Sequence, residues 1–155
     1  MNSTGYGVLD IEGDNANVLE AGVVRTDARS SLEERLSEIA SEIGHIIVQF
    51  RPEALAIEEL YSHYGHPRTA IIMGHARGIV FLKAAEAGIP VFPYASTRIK
   101  KSLTGNGRAS KRQMQLMITS TLGLSSVPEP ADVADALAVA LCHGRAQHHG
   151  YTVLS

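Results

Sequence analysis

The hydrophobic positions of this chain fall into short apolar runs and longer stretches with helical periodicity. Alternation of apolar and polar residues predicts strands, and apolar residues three and four apart predict helices. The predicted strands cover residues 4–9, 18–24, 54–57 and 89–94; the predicted helices cover residues 32–50, 70–87, a short basic segment before the 105–107 turn, 111–122 and 131–147. A hairpin followed by alternating helices and strands predicts a single α/β domain over residues 1–155, with a mixed sheet.

Glu58 follows the third predicted strand directly. Residues 54–57 are apolar at every position, as expected for a strand covered on both faces of a sheet. The end of such a strand must leave the core, and strand ends are where α/β folds form ligand sites. A strand-end glutamate that only faces water is an equally open interpretation.

Asp132 and Asp135 lie three residues apart at the start of the last helix, so both occupy one helical face. Aspartate in a first helical turn is also favoured by capping and by the helix dipole, which is the simpler explanation. The residues that follow are almost all apolar, so the helix should be buried, and a carboxylate on it needs a partner or a metal ion. Convergence with Glu58 would predict a Mg²⁺ site, because this ion takes oxygen ligands and often shares them with phosphate.

The formal net charge of the 155 residues is -2, yet the cations are unevenly placed. No Asp or Glu occurs between Ala87 and Pro128, a stretch that contains Arg98, Lys100, Lys101, Arg108, Lys111 and Arg112. Such a local basic patch is typical of a phosphate-binding surface, although solvated helices with ordinary lysines explain it equally well. A single cysteine and the absence of an apolar run of ~20 residues favour a reducing compartment and no membrane span, hence a cytoplasmic protein.

Three smaller features have two interpretations each. Tyr61 follows Glu58 by three residues and could stack on an unpaired base, although ordinary packing is the more common role of such a residue. His63 and His66 lack the cysteine or carboxylate partners of a zinc site. Gly74 and Gly78 on one helix allow close approach of another backbone, either within the core or across a homodimer interface.

Taken together, these motifs resemble those of the RuvC family of Holliday-junction resolvases. The matching segments, in the family's order and spacing, are Thr4-Gly5-Tyr6-Gly7-Val8, Ala56-Ile57-Glu58-Glu59 with Tyr61, Gly74-His75-Ala76-Arg77-Gly78, Tyr94-Ala95 with Lys100 and then Lys111, and Asp132-Val133-Ala134-Asp135-Ala136-Leu137-Ala138. The resemblance implies a ribonuclease-H-like α/β fold, a mixed sheet flanked by helices. It also implies a nuclease that makes paired nicks in four-way DNA junctions during recombination and repair.

The resemblance also implies roles for individual residues. Glu58, Asp132 and Asp135 match metal ligands, for two Mg²⁺ ions per subunit with Mn²⁺ as a substitute. Lys100 and Lys111 match residues that contact DNA near the cut, and Arg108 and Arg112 belong to the same basic stretch. Tyr61 matches an aromatic residue that stacks on a base. Residues 70–87 match a homodimer interface, and a branch-migration helicase is the expected partner complex.

The chain departs from the family pattern at its beginning. In the family, an apolar strand ending in Asp-Pro-Gly precedes the first matching segment, whereas only Met1-Asn2-Ser3 precede Thr4 here. The first central strand and its catalytic Asp are absent, and Asp10, next to a turn, is not a convincing substitute. Because the pattern is intact everywhere else, we expect a native protein longer by roughly ten residues or more. A non-cleaving junction-binding protein and a nuclease for another nucleic acid are the alternatives.

Overall fold

The computed structural model describes residues 3–59 and 66–148. In these ranges the elements are, in order, β1 (Ser3–Glu12), β2 (Asn15–Arg25), α1 (Leu32–Phe50), β3 (Leu55–Glu58), α2 (Pro67–Glu86), β4 (Val91–Tyr94), α3 (Ser96–Thr104), α4 (Lys111–Thr121) and α5 (Ala131–His148). The predicted order of strands and helices is confirmed, with boundaries that differ by a few residues. None of the described helices combines the length and the apolar character that crossing a membrane requires.

Local side-chain chemistry sets several of these boundaries. Ser31 and Ser110 each accept a hydrogen bond from the backbone N–H three residues on, and the side-chain oxygens of Glu34 and Gln113 accept one from the N–H of the cap residue. Both pairs are therefore capping boxes. α1 ends at Arg51, whose φ of 46° is left-handed. The β1–β2 hairpin turns at Gly13, where a φ of 58° suits a residue without Cβ.

The described strands form two separate two-stranded sheets, β1–β2 and β3–β4, instead of one mixed sheet. The prediction that residues 54–57 are covered on both faces is wrong, because Leu55, Ala56 and Ile57 are each only half-buried.

The β3–β4 sheet has one further feature, an exposed proline in β4. The Leu55 N–H donates to the Pro90 carbonyl over 3.0 Å, so Pro90 faces β3. Hydrogen-bonding groups alternate sides along a strand, so Phe92 and Tyr94 also face β3 and Pro93 faces the opposite edge. Proline has no N–H to donate, which is why it is tolerated at that position.

Contacts within the described chain define two compact units. The first contains α1 and α2, which pack on each other around Ile39, Ala76 and Ala84. The second contains most of the β1–β2 hairpin, the end of β3, most of β4, and α3 to α5. Its buried core is centred on α5, and its members are Tyr94, Ile99, Leu103, Ile118, Val133, Leu137, Ala138, Val139, Leu141, Cys142 and Ala146. The prediction of a single domain stays a prediction.

Candidate metal centre

The first turns of α5 present two carboxylates next to a buried stretch of backbone. The Val133 N–H donates to the Pro130 carbonyl over 2.9 Å as the helix begins, and Val133 and Ala134 are buried. Asp132 is half-buried, whereas Asp135 keeps contact with water. The core contacts of Val133 and Ala134 therefore hold the helical turn from which both carboxylates extend.

The charges of Asp132 and Lys111 both act on the carboxyl of Asp135. Partial loss of water around the Asp135 carboxyl raises its pKa, and the neighbouring Asp132 raises it further, while the Lys111 ammonium opposes both effects. The structure thus brings a cation from the first position of α4 to the acidic end of α5. A second cation bound between the two carboxylates would relieve their repulsion, which is the electrostatic condition for a metal site.

Two glycines of β1 allow this end of α5 to lie directly on the strand. A Cβ built on Gly5 would lie 2.5 Å from the carbonyl carbon of Asp132, and one built on Gly7 would lie 2.6 Å from Leu137 Cδ2. Residues 5 and 7 share one face of the strand, so at these positions no side chain separates the backbone of β1 from α5. We did not assign these glycines to the site from the sequence, although glycine within a strand is itself a signal of close backbone approach.

Glu58 lies at the exposed end of β3, as predicted. Among the residues that the structure describes, no group of three His, Cys, Asp or Glu side chains is arranged to hold a metal ion. The structure therefore does not bring Glu58 together with Asp132 and Asp135 as one metal-binding group, and within the described ranges β3 pairs with β4. The Asp132–Asp135 pair alone still suits one Mg²⁺, which commonly uses one or two protein carboxylates together with substrate phosphate and water.

The other predicted basic residues lie around the turn between α3 and α4. Lys100 is half-buried on α3, and Arg108 and Arg112 are exposed. Asn106 shapes the turn, because its Oδ1 accepts the Arg108 N–H over 2.9 Å. Tyr61 lies outside the described residues. The basic residues thus surround a short, hydrogen-bonded turn immediately before Lys111.

The comparisons with known proteins identify the family. The family model for crossover junction endodeoxyribonuclease RuvC matches residues 1–143. This chain belongs to the RuvC family. A RuvC relative from Rhodopirellula baltica is 51% identical over 142 residues, which cover 92% of this chain and 80% of the relative. One from Ruminiclostridium cellulolyticum is 43% identical over 147 residues, covering 95% and 88%.

Solved RuvC structures show the same fold. The Thermus thermophilus RuvC structure aligns with a TM-score of 0.88 at 35% identity and covers 97% of this chain and 92% of that one. A second structure, T. thermophilus RuvC in complex with Holliday junction substrate, has the same TM-score and identity and covers 96% and 90%. The predicted ribonuclease-H-like fold class and the resemblance to the RuvC family are confirmed.

Proposed function

We propose that this chain is a metal-dependent nuclease that resolves four-way DNA junctions, with Asp132 and Asp135 as its central metal ligands. The observation that carries the proposal is the pair of carboxylates on α5 beside Lys111, in a member of a family of crossover junction endodeoxyribonucleases. Glu58 is the third ligand in this proposal. Mg²⁺, at two ions per subunit, is the proposed metal, with Mn²⁺ as a substitute.

Each residue of the centre has a distinct task. A bound Mg²⁺ would polarise the scissile phosphate and lower the pKa of a bound water. Asp132 and Asp135 hold the metal on a helix fixed by its buried neighbours. Lys111 is close enough to the pair to influence the pKa of Asp135, so its ammonium can hold a phosphate oxygen beside the metal. That contact orients the substrate without reading its sequence.

The surrounding cations extend this phosphate-binding surface. Lys100, Arg108 and Arg112 flank the turn that leads to Lys111, and contacts of this kind supply salt-dependent affinity for the DNA backbone. We assign Tyr61 to stacking on a base at the opened junction, on the family resemblance alone. Association with a branch-migration helicase and a cytoplasmic location rest on the same resemblance.

An exposed apolar face on α2 supports a homodimer. Ile71, Phe81 and Leu82 are 63%, 40% and 51% exposed, which is high for large apolar side chains. A Cβ built on Gly74 or Gly78, between them in the helix, would meet no other atom within 4 Å. Burial of such a face against a second copy removes apolar surface from water, and the glycines permit close contact of the two helices. A dimer would carry two centres, one for each nick.

Cutting of a synthetic four-way junction tests the proposal. With Mg²⁺ present, the wild-type chain should nick opposing strands of the junction, and it should leave linear duplex and RNA–DNA hybrid intact. Asp135→Asn and Glu58→Gln should abolish cutting and retain junction binding in a gel-shift assay without metal. Asp10→Asn, an exposed carboxylate on β1, is the matched control and should cut normally.

Two results would change the assignment. Junction binding by the wild-type chain without nicks in either Mg²⁺ or Mn²⁺ would favour the non-cleaving alternative. Equal cutting of junction and RNA–DNA hybrid would favour a different nucleic-acid substrate. Full cutting by Asp135→Asn would remove that carboxylate from the metal centre.

A further inference from the structure

A cavity of about 570 Å³ lies in the second compact unit, bounded by the tip of the β1–β2 hairpin, α3 and the C-terminal half of α5. Its volume is in the usual range for small-ligand sites, ~300–1,000 Å³. Arg145 on its wall is ten positions beyond Asp135 in the same helix, or about 15 Å along the axis. The lining of the cavity does not include Asp132, Asp135, Lys100 or Lys111, so the cavity is distinct from the candidate metal centre.

Three cations line this cavity: Arg98, Lys101 and Arg145. Asp14 is the carboxylate in the lining, so positive charge predominates. One carboxylate against three cations gives the lining of the cavity a net positive charge.

The two guanidinium groups are held in place by neutral partners. Arg145 Nη1 donates to the Ser102 carbonyl over 2.6 Å, and the Arg98 guanidinium carbon lies 5.0 Å from the centre of the Tyr94 ring. Both contacts fix a position without cancelling the charge. A cation that is fixed in this way loses little side-chain entropy when it binds an anion.

The interior wall of the cavity is apolar, and the charges of Arg98 and Arg145 act on one of its side chains. Leu141, Cys142 and Ala146 are buried side chains of α5 along that wall. Burial raises the pKa of the Cys142 thiol, while a hydrogen bond with Ser102 and the charges of Arg98 and Arg145 oppose the increase. The guanidinium groups are thus near enough to act on a group at the back of the cavity.

Helix dipoles explain only part of the cluster. Cations near a helix C-terminus are favoured, which accounts for Lys101 at the end of α3 and Arg145 near the end of α5. Arg98 is the third residue of α3, at the end where the dipole disfavours a cation. The contact with the Tyr94 ring offsets part of that cost, and an anionic ligand bound beside Lys101 and Arg145 would offset more of it.

We propose that this cavity binds a nucleoside phosphate, with the phosphate between Arg98, Lys101 and Arg145 and the base or sugar against the apolar wall of α5. Arginine and lysine are the usual ligands of phosphate, by bidentate and point-charge contacts. This nucleoside phosphate has two candidate sources: a free mononucleotide, or a nucleotide unit of a DNA strand that leaves the cutting site.

Calorimetric titration of the full chain with deoxyadenosine 5′-monophosphate, in EDTA and without junction DNA, tests the proposal. The nucleotide should bind saturably, and deoxyadenosine, which lacks the phosphate, should bind ~10-fold more weakly or worse. Lys101→Gln should weaken nucleotide binding by about 5-fold or more, because one charge-assisted contact is lost. Lys101 is exposed, so this variant should fold normally.

Lys83→Gln is the matched control, because Lys83 lies on α2 in the first unit and pairs with Glu86, outside the cavity lining. It should bind the nucleotide like the wild type. Displacement of the nucleotide by a DNA duplex of about 12 base pairs would identify the strand backbone as the source; retention would identify the free nucleotide. Absence of saturable nucleotide binding, or wild-type affinity in Lys101→Gln, would overturn the proposal.

The outcome is independent of the metal centre. Asp135→Asn should leave nucleotide binding in EDTA unchanged, because Asp135 does not line the cavity. If that variant no longer cuts the junction but binds the nucleotide normally, the metal centre and the nucleotide site are separate. Either proposal can then fail without the other.

Discussion

Gly5→Ala should displace Asp132, because the added Cβ would overlap backbone atoms. The new carbon would lie 2.5 Å from the Asp132 carbonyl carbon and still closer to its oxygen, whereas ordinary contact begins near 3.4 Å. A backbone carbonyl cannot turn aside as the end of a flexible side chain does. β1 and the start of α5 must therefore separate by about 1 Å, a misplacement that typically lowers a catalytic rate ~100-fold. Overpacking of this kind also destabilises the fold by about 1–3 kcal/mol.

Two measurements check this prediction. Single-turnover cutting of a four-way junction should slow by about two orders of magnitude, and the midpoint of thermal unfolding should fall by roughly 3–10 °C. Calorimetric Mn²⁺ binding should also weaken, which tests the displacement without relying on cutting. Gly44→Ala is the matched control, since its Cβ would meet only the mobile end of Lys83, 3.3 Å away.

The reasoning would be refuted by a Gly5→Ala variant that unfolds, binds Mn²⁺ and cuts like the wild type. Such a result would mean that the close approach of β1 does not determine the position of Asp132. An unfolded variant would be uninformative about the site, so Gly7→Ala, which meets a leucine side chain instead of backbone, is the milder second test.

Three further predictions concern stability and assembly. Leu137→Ala, at a side chain only 1% exposed, should lower the free energy of unfolding in urea by about 2–5 kcal/mol, whereas Leu116→Ala on the surface should change it little. Burial lowers the pKa of His143, so on acidification the unfolded state takes up a proton before the folded state does. The wild type should therefore lose stability as the pH falls below 6.5. His143→Gln, which lacks this titrating ring, should lose less. An equal pH dependence of the two proteins would contradict this. Ile71→Glu should shift sedimentation towards monomer, and Val48→Glu, on α1, should not.

Local features of the fold could be predicted from the sequence. The caps at Ser31 and Ser110 depend on residues three positions apart, and both formed as side-chain and backbone chemistry requires. The burial of α5 followed from its run of alanine, valine and leucine. In these cases the interacting groups are close in sequence, so the pattern contains the information.

Features that depend on distant residues could not be predicted in the same way. Periodicity shows that residues 55–57 are apolar, but it does not show which strand lies beside them, and their partial exposure follows from that neighbour. The effect of Lys111 on the pKa of Asp135 also arises from the packing of α4 near α5. The family resemblance predicted that Lys111 lies near the cut, which residue patterns alone did not.

Pro93 limits how the β3–β4 sheet can interact with other chains. A strand edge with free N–H groups invites pairing with any extended peptide, which is a route to aggregation. At the outer edge of β4, Pro93 offers no N–H and is exposed, so an incoming peptide would find a break in the ladder there. Extension of this sheet is therefore directed to the other side, along β3. A β-strand that adds there would run beside β3, which ends at Glu58. Pro93 therefore confines the addition of a further β-strand to the edge that carries the candidate metal ligand.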